Sequence, residues 1–182
     1  MICNICPRNC GAERTETLRG GVCGQPALPV AAKAMLHRWE EPCLVGDHGA
    51  GTVFFSGCSL GCVFCQNEKI SHHDFGKPVT LPRLREIFFE LVAAGAHNID
   101  LVNPTHYAHV VSEALTEPLP VPVVYNCGGY ERAETIGKLR GLVDIYLPDM
   151  KYAEAPLAAA LSGAANYFPV AAAAIKEMVR QT

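Results

Sequence analysis

The sequence predicts an α/β fold built on a parallel sheet, and three observations predict it. Short β-branched and aromatic runs recur at 52–55, 99–102, 121–125 and 143–147. Helical patterns separate them, and a parallel return needs such a long connection. Each run also ends on polar or glycine-containing residues, where α/β folds carry their working groups beyond the C-terminal strand ends.

Taken in order, residues 1–45 form an irregular segment rich in Cys, Gly, Pro and Arg, with too little periodicity to build an apolar core of its own. Met35, Leu36 and Trp39 are expected to pack somewhere. Residues 46–182 form the α/β part. Thr52-Val53-Phe54-Phe55 reads as a buried strand that feeds the loop at Ser56-Gly57. Thr80 caps a helix to about Ala94, with Leu84, Ile87, Phe88, Leu91 and Val92 on one face. A strand over 99–102, a helix over 106–115 and a strand over 121–125 follow, with Pro122 at the strand's start. A helix over 130–139, a strand over 143–147 and one or two helices over 153–180 complete four strand-helix units.

The chain has 182 residues, of which 49% are apolar, and a formal net charge of -3. No Lys/Arg run could track phosphates, so nucleic acid is not an expected partner. Neither a signal-like start nor an apolar run of about 18 residues is present, and the expected location is cytoplasmic, with no membrane partner. Nine cysteines in that setting are expected as reduced thiols available to metal.

Three of them form Cys58-x3-Cys62-x2-Cys65 on one loop, where Gly57 and Gly61 let the backbone fold the thiols toward a common centre. A structural zinc site wants four protein ligands, whereas a [4Fe-4S] cluster held by three cysteines leaves one iron open to an outside ligand. Four more, Cys3, Cys6, Cys10 and Cys23, have C-x2-C-x3-C-x12-C spacing, enough for tetrahedral zinc or a second iron-sulfur cluster. Spacing does not choose between them.

The run from Gly51 through Cys58, Cys62, Phe64 and Cys65 to Asn67, set after the first predicted strand, resembles the radical S-adenosylmethionine superfamily. With Cys3-Asn-Ile-Cys6-Pro-Arg-Asn-Cys10-Gly before it, the chain is most similar to the pyruvate formate-lyase-activating-enzyme-like branch. The resemblance implies a partial (β/α) barrel of about four of the family's six units, hence a truncated radical SAM domain over 46–182 behind a metal-binding segment over 1–45. It implies a [4Fe-4S] cluster on Cys58, Cys62 and Cys65, with S-adenosylmethionine on the open iron. Reductive cleavage to a 5'-deoxyadenosyl radical would follow, an oxidoreductase chemistry of the activating-enzyme type.

The resemblance also implies site residues. Phe64 would lie beside the adenine. Asn103-Pro104-Thr105-His106 stands where the family has a Gly-Gly-Glu-like stretch for the methionine amine, and there Asn103, Thr105 and His106 replace the carboxylate. Asn126 opens the turn after the third strand, and Asp149 and Lys151 match an Asp-x-Lys after the fourth, suited to a zwitterionic end. The implied partners are an electron donor such as flavodoxin or ferredoxin and a protein or small-molecule substrate.

The competing reading is an iron-sulfur or zinc protein without radical chemistry. Cys43 and Cys127 read as buried small hydrophobes, His109 as a hydrogen-bonded loop histidine, and Glu40, Glu41, Arg83 and Arg85 as solvated charge.

Overall fold

The computed structural model describes residues 2–73 and 75–182. The elements are β1 Val30–His37, α1 Pro42–Val45, β2 Ala50–Phe55, α2 Glu68–Ser71, β3 Lys77–Pro78, α3 Leu81–Ala93, β4 Ile99–Val102, α4 Ala108–Ala114, β5 Val123–Cys127, α5 Ala133–Gly137, β6 Ile145–Pro148, α6 Ala155–Ser162 and α7 Tyr167–Gln181. The fold is mixed α/β around a six-stranded sheet of order β3-β1-β2-β4-β5-β6.

The four strands expected from sequence are β2, β4, β5 and β6, and they pair in parallel. Two strands were not expected. β1 lies antiparallel to β2, and the two-residue β3 pairs antiparallel with β1. β5 starts at Val123 rather than 121, because Pro122 has no N–H for the ladder; its carbonyl still accepts from Ile99 N at 2.9 Å. β6 likewise starts two residues later than expected, and it is an edge strand.

The register sets two kinds of row across the parallel strands. Val53, Leu101, Tyr125 and Tyr146 form one, and Phe54, Val102, Asn126 and Leu147 form the next. Successive side chains point to opposite faces of a strand. The first row meets Leu84, Ile87, Phe88 and Leu91 of α3, Val111 of α4, Ile136 of α5 and Met178 of α7 in the main core. The second row lines a cavity. Thr80 caps α3 as expected, its Oγ1 accepting from Arg83 N at 3.3 Å.

Several expectations are corrected by packing. Trp39 is 90% exposed rather than packed, and Cys43 is exposed. Arg85 is not simply solvated: it donates to the Ala114 carbonyl at 2.8 Å and pairs with Glu117. Arg83 does stay at the surface, paired with Glu86 and Glu90. Among the described residues no single helix is long and apolar enough to cross a membrane.

Candidate functional site

Left-handed backbone at Gly57 (φ 79°) turns the chain out of β2 into the cysteine loop. A side chain there would strike Gln25 Cγ at 2.3 Å and the Cys23 carbonyl at 2.8 Å, so the loop starts packed against the N-terminal segment. Gly61 (φ 67°) lets the loop fold back between Cys58 and Cys62.

Every thiol of the triplet has a hydrogen-bond partner. Leu60 N donates to Cys58 Sγ at 3.3 Å, Ser162 Oγ donates to Cys62 Sγ at 2.9 Å, and Cys65 Sγ lies 3.0 Å from Ser71 Oγ. Burial raises the Cys58 thiol, and the amides of Gly61 and Leu60 pull it back. Among the described residues, no three His, Cys, Asp or Glu side chains converge as they stand into a group that could hold a metal ion.

The three thiols share one wall of a 920 Å³ cavity on the second face of the sheet. That volume falls within the range of about 300–1,000 Å³ usual for small-molecule sites. Asn103, Asn126, Asp149, Lys151 and Phe64 line the same cavity. Three hydrogen-bonded thiols on one loop thus line a space large enough for a small molecule.

Phe64 is 55% exposed at the rim, with its ring edge on Tyr152. Asn103 adopts φ 58° and its Nδ2 donates to the Gly57 carbonyl at 2.5 Å, tying the end of β4 to the start of the loop. Asp149 and Lys151 pair with each other at 2.5 Å. Thr105 and His106 lie off the cavity wall. Thr105 Oγ1 donates to the buried Glu131 carboxyl. His106 Nε2 donates to the Ser56 carbonyl at 2.6 Å while Nδ1 has no partner, and burial drives its pKa down to about 3. A neutral, buried His106 therefore braces the strand end before Cys58. His109 is also buried at Nδ1 without a partner, contrary to the expected hydrogen bond.

Four residues enter the site that the sequence pattern did not mark. Glu40, expected as solvated charge, lines the cavity, accepts from Asn126 Nδ2 at 3.3 Å and lies against the buried Asp100 carboxyl. Burial first, then Glu40, pushes Asp100 well above the usual carboxylate range. Ser162 reaches Cys62 from the end of α6. Tyr167 of α7 accepts from Lys151 N at 2.9 Å and donates toward the Gly128 carbonyl at 2.8 Å, joining the turns after β5 and β6. Arg8 donates to the carbonyls of Ser59 (2.6 Å), Leu60 (3.1 Å), Ser162 (2.6 Å) and Gly163 (2.5 Å), so one guanidinium clamps the cysteine loop to the end of α6. All four could have been suspected only from their three-dimensional neighbours.

No family model matches the chain. An uncharacterised protein of Methanocaldococcus jannaschii is 32% identical over 177 residues, which is 92% of this chain and 51% of that protein. The chain thus spans about half the length of the curated relative it matches.

Proposed function

We propose that this chain is a radical S-adenosylmethionine protein of the activating-enzyme-like type, its four parallel strands forming the first units of a (β/α) barrel. One observation carries the reading: Cys58, Cys62 and Cys65 face the same cavity as Asn126, Asp149 and Lys151, beyond the C-terminal ends of parallel strands. When bound to the three thiolates, a [4Fe-4S] cluster supplies the electron that reductively cleaves S-adenosylmethionine.

The chain's own residues bind and orient. Donors at Leu60 and Ser162 stabilise the sulfurs of Cys58 and Cys62 in their ligating form, while the Cys65 thiol donates to Ser71 Oγ, whose own proton goes to the Asn67 carbonyl. Lys151 and Asp149 offer opposite charges to the carboxylate and ammonium of a zwitterion. Phe64 offers a flat apolar face at the rim to a purine. Glu40, which reaches the cavity from the loop after β1, offers a carboxylate in place of the one that the family carries after its second strand. The reading implies an external electron donor, such as a flavodoxin or ferredoxin.

The test is anaerobic reconstitution with iron and sulfide, then dithionite and S-adenosylmethionine. Formation of 5'-deoxyadenosine, abolished by Cys62→Ser, is the expected result. A reconstituted cluster that yields none favours electron transfer or a structural role instead.

A further inference from the structure

We propose that Cys3, Cys6, Cys10 and Cys23 form a closed tetrathiolate site for one zinc ion, separate from the Cys58, Cys62 and Cys65 loop.

The segment that carries them has no apolar core. Between Ile2 and Gln25 the buried side chains are Cys3, Cys6, Arg14 and Gln25, while Ile2, Leu18 and Val22 are 63%, 48% and 56% exposed. A stretch this poor in burial needs a staple. Its backbone is nevertheless folded into two small turns, bridged at Ile2 with Glu13 and at Gly20 with Gln25. Cys3 N donates to the Ala12 carbonyl at 2.9 Å and Gly24 N to the Gly21 carbonyl at 3.1 Å.

Left-handed glycines at 11 and 24 follow Cys10 and Cys23 directly and set the turns that carry them. The Cys23 thiol donates to the Gly20 carbonyl at 3.8 Å. Arg14 Nη1 donates to Cys3 Sγ at 3.2 Å, and the Arg14 side chain is fully buried. Four thiolates with one divalent ion leave a net charge of about -2, which the Arg14 cation beside Cys3 partly offsets.

The two turns pack on each other. A methyl on Gly20 would meet the Glu13 carbonyl at 3.0 Å and the Ala12 side chain at 3.4 Å, and one on Gly21 would meet Cys10 Sγ at 2.8 Å, so the turn that precedes Cys23 lies against the one that carries Cys10. Cys3 and Cys6 are both buried. The thiols do not meet at ligand distance as they stand. Binding turns them about χ1 on fixed turns. Four thiolates complete the tetrahedral coordination of one zinc ion and leave no open position, as a site that only staples a segment requires. The ion would fix the turn that carries Arg8, and with it the clamp on the cysteine loop.

The test uses the full chain with Cys58→Ser, Cys62→Ser and Cys65→Ser, so its outcome does not depend on the cluster reading. Elemental analysis after expression with zinc should give about one zinc per chain. Adding Cys3→Ser and Cys23→Ser should lower it at least about tenfold. Because the latter variant could fail to fold, cobalt(II) is also titrated into the triple variant with its N-terminal thiols intact, and tetrahedral thiolate absorption at a 1:1 ratio is expected. A triple variant with no zinc and no such absorption overturns the site. One that carries about four irons overturns zinc in favour of a second cluster.

Discussion

Glu40 Oε1 accepts a hydrogen bond from Asn126 Nδ2 at 3.3 Å, although the two residues are 86 positions apart. This contact puts a carboxylate from the loop after β1 over the C-terminal end of β5, inside the cavity that the cysteine loop faces. If Glu40 receives the ligand's ammonium group, Glu40→Gln keeps the shape and the bond to Asn126 but removes the charge. The expected outcome is an S-adenosylmethionine affinity about tenfold weaker, or ~1.4 kcal/mol, by equilibrium dialysis against the reconstituted protein. An unchanged affinity excludes Glu40 from ligand recognition.

Asp149 is the second carboxylate at issue. It pairs with Lys151 at 2.5 Å in the structure, so a zwitterionic ligand must exchange with that pair or bridge it. Asp149→Ala should weaken S-adenosylmethionine binding about fivefold to tenfold without loss of iron. Unaltered binding with intact iron content would take Asp149 out of the site.

Arg8 links the N-terminal segment to the loop that carries Cys62. Its guanidinium makes bonds to four carbonyls and lies 5.4 Å from the centre of the Tyr130 ring. Arg8→Ala leaves those carbonyls without their donor and should cost about 2 kcal/mol of stability. Hydrogen exchange should quicken over residues 59–65, while β4 in the main core keeps its protection. Equal exchange in the loop of both proteins would show that Arg8 does not hold it.

The sequence was most legible where local chemistry and tertiary packing agree. β2 and β4 are β-branched or aromatic runs buried in the sheet, and α3 has both its Thr80 cap and an unbroken apolar face. β1 was missed because VAAKAMLH is rich in alanine, which has little strand preference, so its pairing with β2 decides its state. The position of the cysteine triplet beyond a strand end was legible for the same local reasons. Glu40 and Arg8 were not, since their partners come from parts of the chain 86 and 51 residues away, respectively, in the contacts with Asn126 and Ser59. Thr105 and His106 show the opposite case. Their place at a strand end suggested a ligand role, but their side chains turn inward to Glu131 and Ser56.

That inward turn makes a pH prediction. Glu131 is buried, and burial raises its pKa to about 8 against the lowering effect of bonds from Thr105, Tyr125 and Cys127. An unfolded glutamate titrates near 4.3. The folded state therefore binds the extra proton, so this contribution to stability is fully present below about pH 4 and is lost as pH rises toward about 8. His106 acts in the other direction: its folded pKa near 3 lies below the unfolded value of about 6.5, so its contribution is lost as pH falls through that window. Urea unfolding of Glu131→Gln should flatten the decline between about pH 5 and 8 and leave the acid limb unchanged. If the wild-type protein loses no stability over that range, or the variant declines as steeply, Glu131 is not held as a neutral acid in the fold.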